Sequence, residues 1–209
     1  MQLLIATTNK HKLDEIKKIL RLKSINFLSL NDFHGVPNII ENGKTFEENA
    51  AKKARIIAKK YKILTLADDS GLEAKALSGR PGIKSARYAG PNPCLASRQA
   101  TSEKLCKKLL AEMKNKRNRS AQFVCVIAIA DPQGIINIAR GICKGKITLE
   151  MQGENGFGYD PVFMPNGFKK TFAQMSQQMK NKLSHRSKAL KSVLPKIINM
   201  RKKSAVNCG

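Results

Sequence analysis

Two adjacent carboxylates are the first feature of the sequence that could do chemistry. Asp68 and Asp69 follow the aliphatic and β-branched residues 64–67 and precede Ser70 and Gly71. Such an aliphatic and β-branched run is typical of a buried strand, and open α/β sheets bind ligands at the carboxyl ends of their strands. Two interpretations are open: a strand that ends in an ordinary polar turn, and a strand that delivers two carboxylates to a site.

A turn near the N-terminus could bind an anion. Residues 3–6 predict a buried strand, and apolar residues at helical spacing from Leu13 to Leu20 predict a helix. Residues 7–12, between them, contain hydroxyls, an amide and two lysines. Helix N–H groups and lysines attract phosphate. The turn lacks glycine and is not a Walker A loop, so a simple capped helix with solvated lysines is equally open.

A glycine-rich segment, residues 153–161, could bind a planar base. Its glycines allow close backbone approach, and its two aromatic side chains could stack on a ring. The alternative is a turn whose aromatic residues belong to the core. Further along, Arg186 could donate paired hydrogen bonds to a base carbonyl or to phosphate, whereas His185 beside it could be an ordinary helix-start residue.

Several segments must position these residues. Thr45 and Glu48 form a capping-box pattern before a helix that reaches about residue 60. A hairpin is predicted from residues 121–130 and 135–141, and the second strand could continue to residue 149. Further helices are predicted at residues 95–114, 175–183 and from 184 onward, with Pro195 bending or restarting the last. This pattern predicts an α/β fold with a mixed sheet in two parts.

Length and composition predict a single cytoplasmic domain. The 209 residues fit one domain over residues 1–200, with a basic tail at 201–209. No apolar run is long enough to span a membrane, and the N-terminus does not resemble a signal peptide. The five cysteines are scattered without a CxxC pair, which favours reduced thiols.

The net charge of the protein suggests an alternative function. The sequence carries +24, with no Asp or Glu after Asp160. A surface this basic attracts polyanions, so a nucleic-acid-binding module without catalysis is the alternative to an enzyme. A compositional bias of the source organism would explain the charge without any function.

Six segments occur in an order that identifies a family. They lie within residues 5–191: residues 6–12, 45–54, 67–72, 81–88 and 156–161, and Lys180 followed by residues 184–186. Together they resemble the inosine-triphosphate pyrophosphatase family, whose members cleanse the nucleotide pool of deaminated purines. Thr8 and His11 replace glycines common in the first loop, and Gln174 stands where an acidic residue is usual.

The resemblance implies a fold, a reaction and a site. The implied fold has a long twisted mixed sheet flanked by helices, with a cleft between two lobes. The implied reaction is Mg²⁺-dependent hydrolysis of ITP, dITP and XTP to monophosphate and pyrophosphate by a homodimer. We expect no membrane partner, and nucleic-acid binding that, if it occurs, is not specific.

Site roles also follow from the resemblance. Asp69 would be the general base or water-orienting group, supported by Asp68, and would share a metal with Glu41. Phosphates would be held by Lys12, Lys53 and Lys180. Ser70 and the first loop would supply hydrogen bonds to the substrate. The loop residues are Thr7, Thr8, Asn9, Lys10 and His11. Phe157 would stack on the base, whose edge would be read by Gly158, Tyr159, Asp160, His185 and Arg186.

Overall fold

The structure is a computed structural model that describes residues 1–22, 24–90, 98–134 and 136–206. In chain order, the strands and α-helices are β1 (Gln2–Ile5), α1 (Lys10–Leu20), β2 (Asn26–Ser29), α2 (Phe46–Tyr61), β3 (Thr65–Ala74), α3 (Arg98–Glu112), β4 (Ser120–Ala130), β5 (Ile136–Ile147), β6 (Phe163–Pro165), α4 (Gln177–Leu183) and α5 (His185–Val206).

The six strands form one mixed sheet in the order β2-β1-β3-β4-β5-β6. β1 pairs in parallel with both β2 and β3, whereas β5 and β6 are antiparallel. The predicted α/β fold with a mixed sheet is therefore confirmed. β2 and the short β6 are strands that the sequence patterns did not reveal.

β3 corrects the prediction that its strand ends before the two aspartates. Ile5, the last residue of β1, lies opposite Leu66, but β3 continues through residues 68–71 to Ala74. Asp68 and Asp69 thus lie beyond the carboxyl end of β1 yet inside a strand. Strand geometry sends neighbouring side chains to opposite faces of the sheet, so the two carboxylates have different surroundings.

The predicted helix starts are confirmed in their main features. Asn9 caps α1, its side-chain oxygen accepting from the backbone N–H of His11 at 3.0 Å and of Lys12 at 3.3 Å. Thr45 caps α2 by accepting from the N–H of Glu48 at 3.1 Å. The Glu48 carboxylate reaches one residue further back than in a standard capping box.

The C-terminal half follows the predicted order of elements. β5 is one strand from Ile136 to Ile147, which covers most of the predicted hairpin arm and its continuation. α5 includes Pro195 and continues to Val206, so much of the predicted tail is helical and residues 207–209 lie outside the described part. The thiols of Cys106, Cys125 and Cys143 are buried, while Cys94 and Cys208 also lie outside the described part.

The chain divides into two compact units. Unit 1 comprises Met1–Asp69, Cys125–Gly141 and His185–Gly209, and unit 2 comprises Ser70–Val124 and Ile142–Ser184. The core of unit 1 joins the inner faces of α1 and α5, including Ile16 and Val193, to apolar residues of β1, β3 and β4.

Unit 2 has an aromatic core of its own. The ring centroids of Phe123 and Phe163 are 4.7 Å apart, and those of Phe163 and Phe172 are 5.2 Å apart. α3 contributes Leu105 and Leu109 to the same cluster, and Met113 joins it directly after the helix. Across the described residues, no helix is both long and apolar enough to cross a membrane.

Candidate active site

Asp68 is the buried centre of a charged network in unit 1. Its carboxylate accepts from the Arg186 Nε at 2.9 Å and from the Cys125 thiol at 3.0 Å, and it forms an ion pair with Lys12. Burial by itself raises the pKa of Asp68, but the charges of Arg186 and Lys12 and the hydrogen bonds from Arg186 and Cys125 hold it well below its usual value. Asp68 is therefore a fixed anion that anchors two cations.

Asp69 has the opposite electrostatic character. Its Oδ2 atom is buried and has no hydrogen-bond partner among the described residues. Burial, opposed by the charges of Lys12 and Lys53 and assisted by those of Glu41 and Asp68, raises its pKa to about 6. Burying a carboxylate oxygen without a hydrogen-bond partner costs free energy. Asp69 is therefore a candidate for binding a ligand or taking part in a reaction.

Lys53 and Glu41 complete this group in unit 1. Lys53, on α2, donates to the backbone carbonyl of Asp68 at 3.1 Å and forms an ion pair with the half-buried Glu41. Lys12 and Lys53 thus lie near the two aspartates and supply positive charge beside Asp69. A polyphosphate requires this kind of charge neutralisation.

The oxygen donors of Glu41 and Asp69 fit a small hard cation. Mg²⁺ is commonly held by one or two carboxylates, with water and substrate phosphate oxygens completing its shell. The orphaned Asp69 Oδ2 supplies one such ligand. No set of three or more His, Cys, Asp or Glu residues suited to a metal occurs in the described part of the chain. A metal here would therefore depend on oxygens from the substrate and from water.

The first loop is shaped by two of its predicted binding residues. The Thr7 hydroxyl accepts from the Asn9 N–H at 3.1 Å, and Asn9 in turn caps α1. The side chains of Thr8 and Lys10 are exposed, and that of His11 is half-buried. Thr7 and Asn9 therefore fix the turn that carries Lys12 to Asp68.

Arg186 has acidic partners inside unit 1. It is fully buried in unit 1, where its guanidinium bonds to Asp68 and forms an ion pair with Glu15 of α1. His185 is buried beside it at the start of α5. A Cβ on Gly141 would lie 2.1 Å from the His185 carbonyl, so only glycine allows β5 to approach α5 this closely.

Unit 2 contains the predicted base-binding segment. Phe157 is half-buried, and its N–H donates to the Asp160 carboxylate at 2.8 Å. The Lys180 ammonium donates to the same carboxylate oxygen at 2.7 Å and lies 4.7 Å from the centre of the Phe157 ring. Lys180 was predicted to hold phosphate, but the structure brings it together with Phe157 and Asp160.

Tyr159, another predicted site residue, has a structural partner in unit 2. The Tyr159 side chain is buried, and its hydroxyl donates to the Ser85 carbonyl at 2.9 Å. The Ser85 hydroxyl accepts from the Leu72 N–H at 2.9 Å, and a Cβ on Gly71 would meet that hydroxyl at 2.5 Å. Ser70 lies half-exposed in β3, next to Asp69 in the chain.

Comparison with known proteins identifies the family of the chain. The sequence model of the Ham1 family matches residues 3–196, which is nearly the whole chain. The chain belongs to the Ham1 family.

Two curated relatives of this Ham1 chain carry the same name. A dITP/XTP pyrophosphatase of Desulfotalea psychrophila is 47% identical over 199 residues, covering 94% of this chain and 86% of the relative. A dITP/XTP pyrophosphatase of Syntrophobacter fumaroxidans is 48% identical over 188 residues, covering 90% and 78% respectively.

Solved Ham1 structures share the fold. The Ham1 protein of Staphylococcus aureus matches with a TM-score of 0.83 at 37% identity, covering 96% of this chain and 100% of that one. A HAM1 protein from Coxiella burnetii also gives 0.83 at 37% identity, covering 95% and 99%.

Sequence reasoning missed the inner partners in this Ham1 chain. Glu15 lies next to Ile16 on the buried side of α1, where a carboxylate needs a cation, and this position was the available signal. Cys125 lies within an apolar strand and resembles an ordinary core residue in the sequence. No local pattern pointed to it.

Proposed function

We propose that this Ham1 protein hydrolyses the triphosphates of deaminated purines, ITP, dITP and XTP, to the monophosphate and pyrophosphate. The names of its relatives support this substrate class. The observation that carries the proposal is Asp69: a buried carboxylate without a partner among the described residues, flanked by the charges of Lys12 and Lys53.

Asp69 is the proposed general base. In this reaction a water oxygen bonds to the α-phosphorus, the bond to the bridging oxygen breaks, and pyrophosphate leaves. A carboxylate with a pKa of about 6 is largely ionised near neutral pH, yet is basic enough to orient the water and accept its proton. Lys12 and Lys53 offset the negative charge of the phosphates.

Glu41 and Asp69 are the proposed ligands of Mg²⁺. A bound Mg²⁺ would withdraw charge from phosphate oxygens and make the phosphorus easier to attack. Asp68 contributes through Lys12, which it holds by an ion pair. In the first loop, Thr7 and Asn9 support this position, while Thr8, Lys10, His11 and Ser70 remain proposed substrate contacts.

The Phe157 segment is the proposed base-binding element. Stacking on Phe157 accepts any purine, so selectivity needs hydrogen bonds to the base edge. Hypoxanthine and xanthine present a 6-carbonyl acceptor, whereas adenine presents an amino group that would leave a buried donor unpaired. That mismatch costs about 1–3 kcal/mol for each unmet group.

The contacts of Lys180 and Arg186 refine their proposed roles. Lys180 is paired with Asp160 beneath the Phe157 ring, which favours support of the base-binding segment over phosphate binding. Arg186 is occupied by Glu15 and Asp68, which favours orientation of Asp68 over direct reading of the base. His185 remains a proposed base contact.

A substrate panel with product identification tests the proposal. Purified protein with Mg²⁺ is assayed on ITP, dITP, XTP, ATP and GTP, and the phosphate products are separated. We expect pyrophosphate release, with kcat/KM on the deaminated purines at least about tenfold above that on ATP. Orthophosphate as the first product, or equal rates on ATP, would contradict the proposal.

The remaining expectations concern partners and location. A nucleic-acid-binding module without catalysis is not favoured, because the predicted carboxylates are present and Asp69 and Glu41 lie in one charged group. We also propose a homodimer and a cytoplasmic location, as the family resemblance implies. Sedimentation of the purified protein tests the first, and cell fractionation tests the second.

A further inference from the structure

In the backbone of residues 157–160, three of the four N–H groups have a hydrogen-bond acceptor among the described residues. Phe157 donates to the Asp160 carboxylate at 2.8 Å, Gly158 to the Ser102 hydroxyl at 2.8 Å, and Asp160 to the Phe157 carbonyl at 3.3 Å. Among the described residues, the N–H of Tyr159 has no acceptor. Backbone N–H groups are strong donors that are nearly always paired, so this one is available to a ligand.

Cys106 sets the direction in which that N–H points. Its thiol donates to the Gly158 carbonyl at 3.3 Å. This carbonyl and the Tyr159 N–H belong to one peptide group, in which a planar trans bond makes them point in opposite directions. Holding the carbonyl toward α3 therefore turns the N–H away from α3.

The thiol is suited to this task. Burial, reinforced by the nearby Asp160 charge, raises the pKa of Cys106 to about 12. The group therefore keeps its S–H donor at neutral pH and does not become a thiolate, which would repel the carbonyl oxygen.

Ser102 and Cys106 form hydrogen bonds with the two backbone polar groups of Gly158. They are four positions apart, and hence on the same face of α3. Ser102 accepts from the Gly158 N–H, and Cys106 donates to the Gly158 carbonyl. Gly158 has a φ of +64°, a conformation that favours glycine, so two side chains and a special backbone conformation fix the peptide.

We infer that Ser102 and Cys106 are positioning residues that aim the Tyr159 N–H at the 6-carbonyl of a purine stacked on Phe157. The inference rests on the proposed function and deepens it, since it assigns discrimination against adenine to one backbone donor. An adenine base would face this donor with its amino group and gain no hydrogen bond.

Kinetics on three nucleotides test the inference. The variants are Ser102→Ala and Cys106→Ala, with Ser102→Thr and Cys106→Ser keeping the hydrogen-bonding groups. Cys143→Ala is the control, because it removes another buried thiol of the unit 2 core. The substrates are ITP, ATP and the triphosphate of unsubstituted purine riboside, which has nothing at C6.

We expect each alanine variant to raise the KM for ITP about fivefold, with kcat within about twofold. The KM for the purine riboside triphosphate should not move, so the ratio of kcat/KM for ITP over ATP falls about fivefold. The threonine and serine variants should restore the wild-type values. Cys143→Ala should lower Tm and leave the ratio unchanged.

Two outcomes would overturn the inference: an unchanged ITP-to-ATP ratio in the alanine variants, or equal KM changes on all three nucleotides. A wild-type protein inactive on ITP would instead refute the proposed function. Amide exchange by NMR without substrate separates the two cases. Ser102→Ala should speed exchange at Gly158 if the positioning contact exists, whatever the activity, and unchanged exchange would refute that contact.

Discussion

Asp68 and Asp69 show how two neighbouring carboxylates acquire different properties. Asp68 is surrounded by a guanidinium, an ammonium and a thiol, which keep it ionised. Asp69 is buried with one oxygen unpartnered among the described residues, and its pKa is raised. The difference follows from strand geometry, which sends adjacent side chains to opposite faces.

Replacing Asp69 should abolish activity and make the fold more stable. In the metal-free protein, its pKa of about 6 exceeds its ordinary value of 3.8. Ionised Asp69 therefore destabilises the fold, with no cost below about pH 4, a cost that grows between about pH 4 and pH 6, and a constant cost above that. Above pH 6, Asp69→Asn should raise the free energy of unfolding by about 2–3 kcal/mol and abolish turnover.

Urea unfolding with a metal chelator, repeated from pH 4 to pH 8, measures this effect. The stability gained by Asp69→Asn should increase up to about pH 6 and then level off. Near-normal turnover in this variant would remove Asp69 from its proposed role, and a pH-independent difference would contradict the assigned pKa.

At the scale of elements, α4 supports the base-binding segment through one buried ion pair. Lys180 is almost fully buried, and Asp160 bonds both to it and to the Phe157 N–H. Asp160 therefore links α4 to the loop that carries Phe157. A Cβ on Gly156 would lie 2.1 Å from the Asp160 carboxylate, so glycine is required there as well.

Breaking this ion pair should damage both the fold and binding. Lys180→Met leaves the buried Asp160 carboxylate without its cation, and we expect a loss of about 3–5 kcal/mol in the free energy of unfolding. The KM for ITP should rise more than kcat falls. Lys182→Met, an exposed position on the same helix, is the matched control and should change neither value. Equal effects of the two variants would contradict the role of the pair.

At the scale of the whole molecule, the charge of +24 predicts weak and nonspecific attraction to nucleic acid. Exposed lysines occur in both units, on α1 and α5 and also after α3 and on β5. Deleting the chain after Pro195 would not isolate this effect, because it removes Ile197 from the core of unit 1.

Two triple Lys→Gln variants provide a balanced test. One changes Lys17, Lys18 and Lys191 in unit 1, and the other changes Lys114, Lys116 and Lys146 in unit 2, all of them exposed. We expect both to weaken retention on duplex DNA to the same extent, to flatten its salt dependence equally, and to leave ITP turnover unchanged. A loss confined to one variant would reveal a defined nucleic-acid surface.

The sequence by itself determined the order of the elements, and the family resemblance supplied the proposed members of the site. Apolar periodicity located β1, α1, α2 and the β4–β5 pair, and the capping residues Asn9 and Thr45 fixed two helix starts. The periodicity and capping signals are local, because they depend on spacing and on residue chemistry along a few turns of chain. Asp69, Glu41, Lys12 and Lys53 were named from the resemblance to the pyrophosphatase family.

The tertiary structure decided which of these residues are paired and which are available. Arg186 meets Glu15 across 171 positions and Asp68 across 118, distances that no local pattern can span. The run Asp68-Asp69-Ser70-Gly71 resembles a turn, yet the sheet keeps it extended. Its properties follow from long-range contacts: cations around Asp68, burial around Asp69 and the Ser85 hydroxyl against Gly71.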